Sequence, residues 1–166
     1  MTRLSEFWKD CRREFKALQN EITTTSKGKL TITSDFIVKA ALFCTSKSMK
    51  IKVTFDEQDE ELISPIQRKW KGIRQAIKDM TTRIFGLGFN NSNITSYNAL
   101  IPLVYTFYTK NKPSDETISK YIYRASLTKA FGKSSDSKLI QAKKIMEKGG
   151  HSKLNTTYKA NETHLK

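Results

Sequence analysis

Apolar residues recur every three or four positions along most of this chain, the spacing that places them on one face of an α-helix. Leu4, Phe7, Trp8, Cys11, Phe15, Leu18 and Ile22 form the first such stripe, with Ser5, Glu6, Asp10 and Glu14 weighting its start with polar and acidic groups. Acid at that end suits the positive pole of a helix dipole. The run Thr23-Thr24-Thr25-Ser26-Lys27-Gly28 ends it, and Ser34 or Asp35 is placed to cap a second helix running to about Thr45. Met49 to Phe55 alternates apolar and basic residues and predicts a short extended segment, without a second clear strand to pair with.

The clearest stripe follows an acidic run at 56–61. Pro65 after Ser64 suits a first helical position, and Ile66, Trp70, Ile73, Ile77, Met80 and Ile84 then step by four and three to a stop at Gly86 and Gly88. Tyr97 to about Thr109 is apolar on nearly every side, as a centrally buried helix would be. Pro102 lies inside it and removes one backbone bond, unless the helix proper begins near Ile101. Ser114 opens the next helix, with Ile118, Tyr121, Ile122, Ala125, Leu127 and Phe131 as its expected inward set. Leu139, Ile140, Ala142, Ile145 and Met146 mark the last, which Gly149-Gly150 ends. From His151 onward the periodicity stops. The pattern therefore predicts an all-α fold, a compact bundle of five to six helices over 1–148, followed by a disordered basic tail over 149–166.

Composition narrows this picture. The 166 residues suit one domain, and the 37% hydrophobic content is modest for a self-sufficient unit but too high for a disordered chain. No apolar run reaches the roughly 18–20 residues of a membrane span, and no secretory signal follows Met1, so a cytoplasmic protein with no membrane partner is expected. The sequons at Asn90, Asn93, Asn155 and Asn161 are then chance products of an Asn- and Thr-rich chain. Cys11 and Cys44 have no C-x-x-C spacing and read as two reduced, buried thiols.

Few of the usual catalytic groups are present. His151 and His164 are the only histidines, both in the tail, which leaves no histidine base for a Ser-His-Asp or Cys-His arrangement. No metal-ligand spacing occurs, and Gly132-Lys133-Ser134 fails as a phosphate loop because Leu127 stands where the first glycine belongs. No cofactor, metal or small-molecule substrate is expected, and a self-contained enzyme is disfavoured.

The net charge of +14 points instead to polyanions, although it is spread over several elements and interrupted by the −5 stretch at 56–63. Two predicted helices concentrate cations. Arg68, Lys71, Arg74 and Lys78 lie on one, and Lys138, Lys143 and Lys144 on the other. They read either as contacts to DNA phosphates, sequence-independent because no base-reading set accompanies them, or as solvated faces that keep the domain soluble.

Four strings carry a family likeness. They are Ser34-Asp35-Phe36-Ile37-Val38-Lys39-Ala40-Ala41-Leu42, Trp70-Lys71-Gly72-Ile73-Arg74-Gln75-Ala76-Ile77, Tyr97-Asn98-Ala99-Leu100-Ile101-Pro102-Leu103-Val104-Tyr105, and Tyr121 to Leu127 followed by Phe131 to Leu139. In this order and spacing, over roughly residues 4–148, the chain resembles the helical half of the GmrS-type family, the ParB/sulfiredoxin-like proteins of modification-dependent restriction. In that family the activity resides in an N-terminal lobe bearing Asp-Gly-Gln-Gln-Arg, sometimes joined by a His-Asn-His nuclease. Neither motif occurs here. The resemblance thus implies a helical lobe without the family's catalytic residues, partnered by DNA or by a separate nuclease or nucleotide-binding lobe. A protein–protein assembly domain with merely solvated basic faces is the alternative.

Overall fold

The computed structural model describes residues 8–46, 60–132 and 135–149 together with Leu154 and Thr157, and every regular element among them is helical. The order is α1 (Cys11–Thr25), α2 (Ser34–Thr45), α3 (Glu60–Gly86), a 3-10 turn (Tyr97–Leu100) running directly into α4 (Ile101–Tyr108), α5 (Asp115–Leu127) and α6 (Ser135–Gly149). Leu4, Phe7, the Met49–Phe55 segment, the acidic residues before Glu60, and both histidines lie outside the described residues.

The core is built on α2, α3 and α4, which pack most extensively on one another. Every residue of α2 from Phe36 to Cys44 is buried, Lys39 included. Thr33 caps this helix, its side-chain oxygen accepting from Phe36 N–H at 3.1 Å. Helix α3 buries Ile66, Trp70, Ile73, Ile77, Met80 and Ile84, the expected stripe. It starts earlier than expected, however, with Pro65 inside it and Glu60 and Glu61 in its first turn. The two carboxylates at the positive helix end favour that early start, while Pro65 forgoes one backbone bond.

Pro102 stands in the first turn of α4, where its missing N–H costs nothing, and the residues before it wind as a tighter 3-10 turn. Tyr121 of α5 reaches back to this junction, its hydroxyl donating to Ala99 O at 2.7 Å. Ser114 caps α5 by accepting from Thr117 N–H.

One inward assignment is corrected. Leu127 is 82% exposed, because α5 ends there and a left-handed Lys129 turns the chain, so that Ala130 and Phe131 rather than Leu127 enter the core. At 3.6 residues per turn, Leu127 points about 160° away from Ala125.

Cys11 and Cys44 are buried free thiols. Beyond α6, the two described residues of the tail are buried. Leu154 is fully enclosed within the core cluster, and Thr157 donates its hydroxyl to Leu154 O at 2.8 Å.

Candidate nucleic-acid interface

Helices α1 and α3 lie side by side with the same direction, since contacts advance together along both. Glu14 Oε2 accepts from Trp70 Nε1 at 2.9 Å, and one turn or two further on Glu21 Oε2 accepts from Arg74 Nη2 at 2.8 Å. Glu21 Oε1 also pairs with Lys78. Beneath these polar contacts Trp8, Phe15 and Trp70 meet ring to ring, with centroids 5.2–5.8 Å apart. The apolar stripes of the two helices face the same core, and their polar sides are open to solvent.

Those sides are basic. Lys9 precedes α1, and Arg12, Arg13 and Lys16 project from it, all exposed. Arg68 and Lys71 of α3 are exposed as well. Among the carboxylates of this region, Asp10 pairs with Arg13 at 3.1 Å, whereas Glu14 and Glu21 are turned into the seam. The structure thus leaves Arg68 and Lys71 exposed on a helix that neighbours a set of exposed α1 cations that sequence reasoning missed. The net count for residues 1–26 is only +1 and concealed them. Helical periodicity held the missing signal, because Lys9, Arg13 and Lys16 lie on the side opposite Cys11, Phe15 and Leu18.

The remaining expected cations are distributed differently. Arg74 and Lys78 are about a third exposed and engaged by Glu21. On α6, Lys144 is exposed and Lys138 half-buried, about 120° apart around the axis, so these two do not share a face.

Lys143 is removed from the candidate set: it is 5% exposed and donates to Phe43 O at the C-terminal end of α2. It pairs with Glu147 at 3.5 Å and lies over the Phe43 and Tyr105 rings at 5.3 and 4.6 Å. Burial lowers its pKa, against the opposing pull of Glu147 and Cys44. An ammonium so enclosed cannot meet a phosphate. A second buried lysine, Lys39 of α2, pairs with Asp136 of α6 at 2.9 Å and with Asp35 at 3.6 Å.

Among the described residues, no group of three His, Cys, Asp or Glu side chains could hold a metal ion. A cleft of about 580 Å³ between α3 and the start of α5 is crossed by two ion pairs, Asp79 with Lys112 at 3.2 Å and Arg83 with Asp115 at 2.5 Å. Its charges are therefore matched, unlike those of the α1–α3 surface. No described helix is long and apolar enough to cross a membrane. Neither a family model nor a curated protein matches the chain.

Proposed function

We propose that this chain is a non-catalytic helical module that holds the backbone of DNA through the α1–α3 surface, without reading sequence, in a GmrS-like restriction and defence system. The observation that carries the reading is a set of exposed cations on two adjacent helices, Lys9, Arg12, Arg13 and Lys16 at α1 and Arg68 and Lys71 on α3, with Glu14 and Glu21 turned into the seam. Such cations neutralise phosphates and release counterions, and with Arg13 held by Asp10 the other five give a log–log salt slope of about −4.5. Helix side chains supply no base-reading set here, and the family's catalytic motif is absent from the chain. The assignment to a restriction system rests on the resemblance of the four sequence blocks, which also implies a separate nuclease or nucleotide-binding partner.

Fluorescence anisotropy of a labelled random-sequence duplex, titrated over a salt series, tests the DNA part. Binding is expected to weaken steeply with salt and to disappear when Arg12, Lys16, Arg68 and Lys71 are all changed to Glu. Arg74 and Lys78 are spared in that variant because they hold the seam. Binding retained by the quadruple variant would overturn the interface.

A second reading, a protein–protein assembly domain, is favoured by Tyr123 and Leu127, which stand 59% and 82% exposed on α5. A pair of large apolar side chains four residues apart forms a small docking edge on a helix. Under this reading, Tyr123→Ser with Leu127→Ser abolishes an association seen by light scattering, while DNA binding is absent throughout.

A further inference from the structure

We infer that Glu21 is a built-in counter-anion that occupies two phosphate positions of the basic face and thereby limits how tightly that face holds DNA. The inference rests on the proposed DNA-binding reading and adds to it an internal competitor. Glu21 uses its two oxygens separately, Oε2 for Arg74 at 2.8 Å and Oε1 for Lys78. A phosphodiester carries the same single charge, and each of the two cations that Glu21 holds is one that a separate phosphate could take. The three side chains are each 30–36% exposed, which leaves the cluster within reach of a ligand on the surface.

The geometry around Arg74 adds a second observation. Its Nε is shielded from solvent and has no hydrogen-bond partner among the described residues. Glu21 therefore holds the guanidinium through Nη2 and not through the two-nitrogen grip of which an arginine is capable, which is the weaker kind of pair. The two cations are also continuous with the open part of the face, since Lys71 and Lys78 are seven residues apart and recur on the same side of α3. The other carboxylates of the region behave differently. Among the described residues, Glu14 accepts from the Trp70 indole and holds no cation, and Asp10 holds only Arg13.

These differences supply the test. Glu21→Gln, Glu14→Gln and Asp10→Asn each change the net charge of the full chain by +1, but release two, no and one cation respectively. In the anisotropy salt series, Glu21→Gln is expected to steepen the log–log slope by about 1.8, since each added contact contributes about 0.9. Asp10→Asn is expected to add at most about 0.9, and Glu14→Gln nothing beyond its charge. Adding Arg74→Gln and Lys78→Gln to Glu21→Gln should return the slope to that of the parent chain. Circular dichroism and a urea melt on each variant establish that the helices persist.

A parent chain that binds with steep salt dependence, paired with a Glu21→Gln slope equal to that of Glu14→Gln, would overturn the counter-anion while leaving the DNA-binding face standing. Absence of binding by every variant, Glu21→Gln included, would overturn both. A parent that fails to bind beside a Glu21→Gln variant that binds supports the inference in its strongest form.

Discussion

Lys143 and Cys44 show how a single buried group acquires a consequence that its sequence position does not advertise. Both face the same packed junction of α2, α4 and α6, where Tyr105, Glu147 and Lys69 are also near enough to influence them. Burial pushes the Cys44 thiol up to about 12, from 9.0 in an unperturbed chain, against a smaller opposing effect of Lys143. The folded state then keeps a proton that the unfolded state releases, so the contribution of Cys44 to stability is complete below about pH 9 and is lost as pH rises toward 12. Lys143 has the opposite sign. Its lowered pKa makes the unfolded chain the tighter proton binder, so stability recovers as pH rises from that lowered value toward the ordinary lysine range. Cys44→Ala is expected to remove the first dependence, which amounts to at most about 1.4 kcal/mol per pH unit. Urea melts between about pH 8 and pH 10.5 should therefore show the parent losing stability relative to Cys44→Ala. A constant difference across that range would refute the assignment.

At the scale of the element, several helix ends have a local cause, and the joints between helices are polar contacts laid over apolar stripes. Thr33 and Ser114 satisfy N-terminal amides of α2 and α5, and left-handed Lys27, Lys110 and Lys129 follow the ends of α1, α4 and α5. Helix α2 has the most to lose from a missing cap, because burial denies water access to its freed amides. Thr33→Ala is expected to cost about 1 kcal/mol, against little for Thr33→Asp, by chemical denaturation. Helix α6 is fastened to α2 at two points. Lys39 of α2 meets Asp136 near the start of α6, and Lys143 of α6 meets the last turn of α2 at Phe43 O. The second contact places a cation against the negative pole of α2. The α1–α3 joint is built in the same way, and it is this construction that takes Arg74 and Lys78 out of the freely solvated set.

For the whole molecule, the core continues past the last helix. Leu154 is fully buried within the cluster that includes Leu139, Ala142 and Met146 of α6. Residue 149 is thus an end of regular helix, and an apolar anchor lies beyond it. Leu154→Ala is expected to lower the unfolding free energy by about 2–5 kcal/mol, the range for emptying a buried leucine site. Lys153→Ala, beside it in sequence, serves as the comparison. Equal stability of Leu154→Ala and the parent chain would show that the anchor contributes nothing. The charge distribution is likewise a property of the assembled molecule: matched pairs bridge the α3–α5 cleft, while the α1–α3 surface keeps an excess of cations.

The sequence by itself determined the helical class, the apolar faces of α1 and α3, the central burial of the segment around Pro102 and the burial of both cysteines. Each follows from spacing along one chain, because 3.6-residue periodicity and turn chemistry are local properties. What only the tertiary structure decided was the fate of individual charges. A lysine at a given position on a helix reads the same in sequence whether a neighbouring helix covers it, as with Lys39 and Lys143, or leaves it open, as with Lys71. The acids that disguise the basic side of α1 are consumed by partners 53 and 56 residues away, and no local pattern encodes that pairing. Leu127 and Leu154 exchanged expected places for the same reason, since burial depends on where the chain turns and what it meets there.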